Sequence, residues 1–118
     1  MIFEALNRAA LESELLLVRG GMCHFHLRRD GQLTIREIIV LPECQRRGIA
    51  TRMLDRLRAV RGASSIFAKC PADLPANGWY RRMGFSEEGR EITKGGTELI
   101  RWRLTLSTAR EATPDSPT

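Results

Sequence analysis

Hydrophobic and polar positions alternate from Met22 to Arg28, with Cys23, Phe25 and Leu27 on one face and His24, His26 and Arg28 on the other. That two-residue period predicts a half-buried strand. Asp30-Gly31 follows, a dipeptide suited to a type I′ hairpin turn, in which both central positions need positive φ. Leu33 to Leu41 is then the return strand, and its continuous apolar end, Ile38 to Leu41, predicts burial on both faces. At Gly48 the period becomes helical. Ile49, Met53, Leu54, Leu57 and Val60 form one stripe running to about Arg61, opposite Arg52, Asp55, Arg56 and Arg58, and Gly62 is a suitable stop. Ser65 to Cys70 reads as a short buried strand. A helix between two strands predicts a β-α-β unit with those strands parallel. Pro71 and Pro75 bracket a loop into a brief helix around Asn77 to Met83. Phe85 to Ile92 and Thr97 to Leu106 read as antiparallel strands joined through Lys94-Gly95-Gly96.

Toward the amino terminus, Ile2, Phe3, Leu6, Ala9 and Ala10 recur at helical spacing and predict a helix over residues 2–13. Leu15 to Val18 either extends that helix or forms a strand, and Gly20-Gly21 breaks whatever precedes it. The tail from Ser107, with Thr113-Pro114-Asp115-Ser116-Pro117, reads as disordered. The expected architecture is α+β: a mixed, mostly antiparallel sheet with one β-α-β unit and helices packed on it. Residues 1–106 form one domain and 107–118 a tail, since 118 residues leave room for one modest core.

Composition narrows the class. Hydrophobic residues make up 42% and charged residues 28%, the balance of an ordinary globular protein, and the longest apolar run, Leu15 to Val18, is strand-sized. No membrane span or secretory leader is expected, and three widely spaced cysteines without a C-x-x-C pair suit a reducing cytoplasm. The net charge of +5 favours an anionic partner.

The chemistry concentrates at two places. The strand Ile35 to Leu41 ends at Pro42, and Gln45-Arg46-Arg47-Gly48-Ile49-Ala50 leads into the helix. Helix-start amides without helical partners can donate to phosphate oxygens, Gly48 and Ala50 allow close backbone approach, and Arg46 and Arg47 add charge-assisted bonds. A strand-to-helix turn with surface arginines is the plain alternative. The second place is Asn77-Gly78-Trp79-Tyr80-Arg81-Arg82-Met83-Gly84-Phe85, a tyrosine on a short helix that stops at glycine, with Trp79 and Phe85 read as core.

Val40-Leu41-Pro42-Glu43-Cys44-Gln45-Arg46-Arg47-Gly48-Ile49-Ala50 resembles the acetyl-CoA signature of the GNAT superfamily of N-acetyltransferases, Q/R-x-x-G-x-G/A after a V-x-P strand end. Tyr80-Arg81-Arg82-Met83-Gly84-Phe85 is similar to its second motif, Y-x-x-x-G-F, in the family's order and spacing. Residues 22–106 map onto that fold with a truncated amino-terminal region, resembling compact members carried by phages and mobile elements. The resemblance implies acetyl-CoA as co-substrate, held by Ile39, Val40, Gln45, Arg46, Arg47, Gly48, Ile49, Ala50, Thr51 and Asn77. It also implies an oxyanion met by a backbone amide near Val40, and Tyr80 as the acid that protonates the departing thiolate. Many members carry an asparagine seven residues before this tyrosine. Here Asp73 stands at that offset, and Asn77 either takes over the role or caps the helix.

Glu37 is the candidate general base, with an ion-paired sheet residue as the alternative. His24 and His26 share a strand face and could serve as base or metal ligands. Two histidines with no third ligand make a poor site, so no metal is expected. A short amino-terminal region implies an open acceptor side, admitting a macromolecular amine: a protein lysine, an amino terminus or a modified base. No acidic cluster suited to a polyamine or aminoglycoside is evident. A homodimer stays open. The competing reading is a GNAT-fold module that binds CoA or a partner without catalysis.

Overall fold

A computed structural model describes residues 14–106. The expected helix over 2–13 and the tail from Ser107 lie outside the described residues. The strands are β1 (Leu15–Val18), β2 (Gly21–Leu27), β3 (Gln32–Val40), β4 (Ser65–Pro71), β5 (Ser86–Ile92) and β6 (Glu98–Thr105). The helices are α1 (Ile49–Arg58) and α2 (Ala76–Arg82), with a 3-10 turn at Pro42–Cys44 between β3 and α1. They form a sheet ordered β1-β2-β3-β4-β6-β5, in which β3 and β4 run parallel and the other neighbours antiparallel. The mixed sheet with its β-α-β unit is as expected, and Leu15 to Val18 is a strand. Among the described residues no helix is long and apolar enough to cross a membrane.

Three local expectations change. The β2–β3 turn is not type I′, because Gly31 has positive φ (95°) and Asp30 does not. Gly31 N–H donates to Arg28 O at 3.1 Å and Arg28 N–H to Gln32 O at 2.8 Å, a three-residue loop with glycine in the left-handed position. Gly31 also accepts from Ser64 N–H at 2.8 Å, which ties the hairpin to the start of β4. Helix α1 ends at Arg58 rather than Arg61. Ala59 and Val60 N–H bond three residues back, to Arg56 O and Leu57 O, and tighten the exit before Gly62 (φ 92°). Finally, β5 begins at Ser86, because Gly84 N–H to Arg81 O and Phe85 N–H to Tyr80 O close α2 in a Schellman stop.

Both helices pack on one face. Ile66, Ala68 and Cys70 of β4 and Ile100, Trp102 and Leu104 of β6 join Met53, Leu54, Leu57 and Tyr80 in one buried cluster. On the other face Phe67 lies under the guanidinium groups of Arg101 and Arg103, each 5.0 Å from its ring centre.

The expected double burial of Ile38 to Leu41 is corrected: Ile39 is 39% and Leu41 45% exposed. Two features of β3 explain this. Phe25 pairs with Ile35 but His24 with Glu37, so Arg36 is an extra residue, a bulge that reverses which positions face inward. In addition, β3 pairs with β4 only at Gln32 to Thr34. Beyond Thr34 the parallel strands part, and the β4-facing backbone of Ile35 to Val40 has no ladder partner among the described residues.

Burial also sets a pH dependence. Cys23 is fully enclosed, and desolvation pushes its thiol up to about 12; Cys70 is raised by burial first and by Asp73 second. Both folded-state values lie above those of the unfolded chain. This stabilisation is therefore complete below the unfolded thiol value and is lost as pH rises through the folded one. Unfolding free energy from denaturant titration should fall between about pH 8 and pH 12, and Cys23→Ala should flatten that fall. An equal fall in the variant assigns it to other groups.

Candidate active site

The parting of β3 and β4 opens a cleft of about 250 Å³, lined by Ile38, Val40, Gln45, Arg46, Ala50, Ala76, Trp79 and Tyr80. After the Arg36 bulge, Ile38 and Val40 face the helices and form one wall, while α2 supplies Ala76, Trp79 and Tyr80 from the other side. The loop before α1 closes one end.

That loop is built for close approach. Gly48 is the N-cap of α1 with φ 76°, and a Cβ placed there would meet nothing within 4 Å. Backbone conformation favours the glycine, and the space in front of it is open. The first helical bond runs from Arg52 N–H to Gly48 O at 2.9 Å, so the amides of Ile49, Ala50 and Thr51 have no helical partner. Arg46 is the non-glycine residue with positive φ (65°) among those described. Such strain collects at ligand-binding loops, and Arg46 lines the cleft. Gln45 Nε2 donates to Val40 O at 3.4 Å and links the loop to the strand end. Free helix-start amides, a cationic side chain and an open glycine suit the diphosphate of a nucleotide cofactor such as CoA.

Tyr80 is 4% exposed, with its ring among Trp79, Phe85 and Trp102. Its hydroxyl makes no hydrogen bond among the described residues. Burial, with smaller contributions from Cys70 and Cys23, pushes its pKa well above the ordinary phenol range. The group thus stays protonated at neutral pH, as a proton donor must.

Of the residues expected to hold the cofactor, Val40, Gln45, Arg46 and Ala50 line the cleft with Tyr80. Arg47 is exposed in the loop and outside the lining. Ile39 faces the opposite side, bordering a second hollow with Gly20, Met22 and Leu41. Ile49 is buried in the core and offers the site only its amide. Thr51 Oγ1 accepts from Trp79 Nε1 at 3.3 Å. Asn77 neither caps α2 nor lines the cleft: the N-cap is Pro75, and the Asn77 side chain bonds Pro71 O, Leu74 O and Trp102 Nε1. Asp73 is exposed.

Glu37 stands opposite His24 on the face away from the helices, half-buried and one strand step from Ile39. His26 Nδ1 is 2.6 Å from Glu14 Oε2. Sequence reasoning missed Ile38, Ala76 and Trp79 as cleft residues. Trp79 read as core, and Ile38 could be oriented only by knowing where β3 bulges.

Similarity to solved structures agrees with the fold. The chain superimposes on a Desulfovibrio desulfuricans protein described as an acetyltransferase of the GNAT family, with TM-score 0.74, 18% identity, and coverage of 88% of this chain and 78% of that one. The Escherichia coli ribosomal-protein-S18-alanine N-acetyltransferase is 24% identical over 75% of this chain, with TM-score 0.64, and this chain spans 62% of its length. A Bacillus anthracis protein described as a streptothricin acetyltransferase, solved with acetyl coenzyme A, gives TM-score 0.68 at 17% identity, covering 75% of this chain and 57% of that one. No curated protein sequence matches the chain. The family model for the GNAT acetyltransferase domain matches residues 9–87, more than half of the sequence, and the chain belongs to the GNAT acetyltransferase family.

Proposed function

We propose that the protein moves an acetyl group from acetyl-CoA to a primary amine on a macromolecule, a protein lysine, an amino terminus or a modified base. The observation that carries this reading is the cleft itself, where the parted β3 and β4 bring the Arg46 loop, the free α1 amides and the Tyr80 phenol together. Acetyl-CoA would lie with its phosphates at the start of α1 and its thioester toward Tyr80. The unpaired backbone of β3 near Val40 offers a donor for the thioester oxygen.

Glu37, on the far face of β3, takes the proton of the acceptor ammonium, directly or through water. The free amine nitrogen then attacks the thioester carbon. The attacking nitrogen releases its second proton to solvent, and as the C–S bond breaks Tyr80 gives its own proton to the sulfur and regains one from solvent. The acceptor approaches from the Glu37 side, so donor and acceptor meet across the slot between β3 and β4. The name of the Escherichia coli neighbour specifies a protein acceptor, which accords with a macromolecular amine.

Two measurements test the reading. Acetyl-CoA should raise the melting temperature, and thiol release should follow on adding peptide or nucleic-acid amines, with acetylated products seen by mass spectrometry. Stabilisation without thiol release toward any acceptor class would favour a CoA-binding module instead.

Charge gives a further expected result. Arg46 lines the cleft and Arg47 does not, so Arg46→Ala should lower acetyl-CoA affinity and flatten its salt dependence more than Arg47→Ala. Equal slopes for wild type and Arg46→Ala by calorimetry would assign Arg46 to the solvated surface.

A further inference from the structure

The Tyr80 hydroxyl makes no hydrogen bond among the described residues, so its orientation depends on the walls around it. Those walls include both tryptophans of the chain. On one side Trp79 meets it edge-on, 5.1 Å between ring centres at 70°. On the other Trp102 lies nearly parallel, 6.1 Å away at 15°. Phe85 adds a third contact, 5.1 Å away at 81°.

Each indole N–H is held by a side chain whose place in the sequence pointed to the cofactor. Trp79 Nε1 donates to Thr51 Oγ1 at 3.3 Å, and the Thr51 hydroxyl in turn donates to Met83 Sδ at 3.7 Å. This bond crosses from α1 to α2 and joins the helix that starts at Gly48 to the helix that carries the tyrosine. Trp102 Nε1 donates to Asn77 Oδ1 at 2.9 Å. Both amide hydrogens of Asn77 are also engaged, by Pro71 O at 2.8 Å and Leu74 O at 2.9 Å. Asn77 is 8% exposed, so its bonds fasten the end of β4, the start of α2 and the middle of β6 at one buried point.

An indole N–H left unpaired away from water is costly, which gives each ring one strongly preferred placement. The tyrosine between them inherits it. We propose that Thr51 and Asn77 are positioning residues, which hold the Tyr80 hydroxyl in line with the cleft by fixing the two tryptophans that flank it. The proposal rests on Tyr80 being the proton donor. It explains why neither Thr51 nor Asn77 lines the cleft: their polar atoms are spent on the rings behind the phenol.

Thr51→Val keeps the shape and removes the hydroxyl, while Thr51→Ser keeps the oxygen. Asn77→Leu removes all three bonds at similar volume; should it fail to fold, Trp102→Phe removes the indole donor together with part of the ring and leaves the Asn77 bonds to Pro71 O and Leu74 O in place. Misplacement by about 1 Å can cost 100-fold in rate, so kcat should fall by roughly 10- to 100-fold in Thr51→Val and Asn77→Leu. The KM for acetyl-CoA should hold, and Thr51→Ser should restore turnover. Because Trp79 and Trp102 are the only tryptophans, their emission should shift to the red and acrylamide quenching should rise in the slow variants and not in Thr51→Ser.

Tyr80→Phe is measured alongside. If it is harmless, the proton-donor reading itself fails. If it is slow while Thr51→Val and Asn77→Leu (or Trp102→Phe) keep their kcat, positioning alone is overturned. A loss that appears in KM rather than kcat returns Thr51 to direct cofactor contact and also overturns the proposal.

Discussion

Tyr80→Phe should lower turnover by about two to four orders of magnitude, the usual contribution of a positioned proton donor. The ring keeps its packing against Trp79, Phe85 and Trp102, and the lost hydroxyl has no hydrogen bond among the described residues, so the melting temperature should change little. Acetyl-CoA affinity should also hold, since the proton is needed only as the thiolate departs. Burial supplies a second signature. It raises the pKa of Tyr80, which favours the neutral phenol, so the proton stays in place beyond the pH of about 10 at which a free phenol titrates. Wild-type kcat should therefore show no loss from this group below that pH. The assay is thiol release with a working acceptor, or slow acetyl-CoA hydrolysis. A phenylalanine variant within a few-fold of wild type would show that the ring only fills space.

Gly48→Glu should abolish acetyl-CoA binding while leaving the fold intact. A non-glycine residue in the left-handed region costs about 1–2 kcal/mol, a strain the domain can carry, and no atom within 4 Å stands where the new Cβ would go. The carboxylate would sit instead at the start of α1, beside the free amides of Ile49 and Ala50, where phosphates are expected. It would compete for those donors and repel the anion. Calorimetry should show no heat of acetyl-CoA binding, while circular dichroism should match wild type. Equal binding in the two proteins would move the cofactor elsewhere.

Much of the architecture was legible because it depends on short-range periods. The alternation of Cys23, Phe25 and Leu27, the stripe Met53-Leu54-Leu57 and the glycine after Met83 each specify a local conformation that burial then rewards. The two motif-bearing turns were readable for the same reason, since Gly48 and Gly84 both occupy left-handed positions that few other residues tolerate. Errors came where one residue's geometry depended on its neighbours. Asp30 did not take the positive φ of a type I′ turn, because Gly31 alone supplies the left-handed step and Ser64 holds it there.

The sequence by itself determined the elements from β2 onward, their order, the parallel β3–β4 pair and the placement of a glycine at a helix start and a tyrosine on a short helix, while Leu15–Val18 became a strand only in the structure. Only the tertiary structure decided which way the functional side chains point. The extra residue Arg36 reverses the facing of β3, so Ile38 and Val40 enter the cleft while Glu37 and Ile39 face away. The separation of β3 from β4 beyond Thr34 creates the cleft, and Thr51 and Asn77 turn to the tryptophans because those rings arrive from other elements with a donor to satisfy. The physical reason is common to all three. Period and turn chemistry act over a few residues, whereas bulges, strand separation and the partners of buried polar groups arise from pairings between segments distant in the chain.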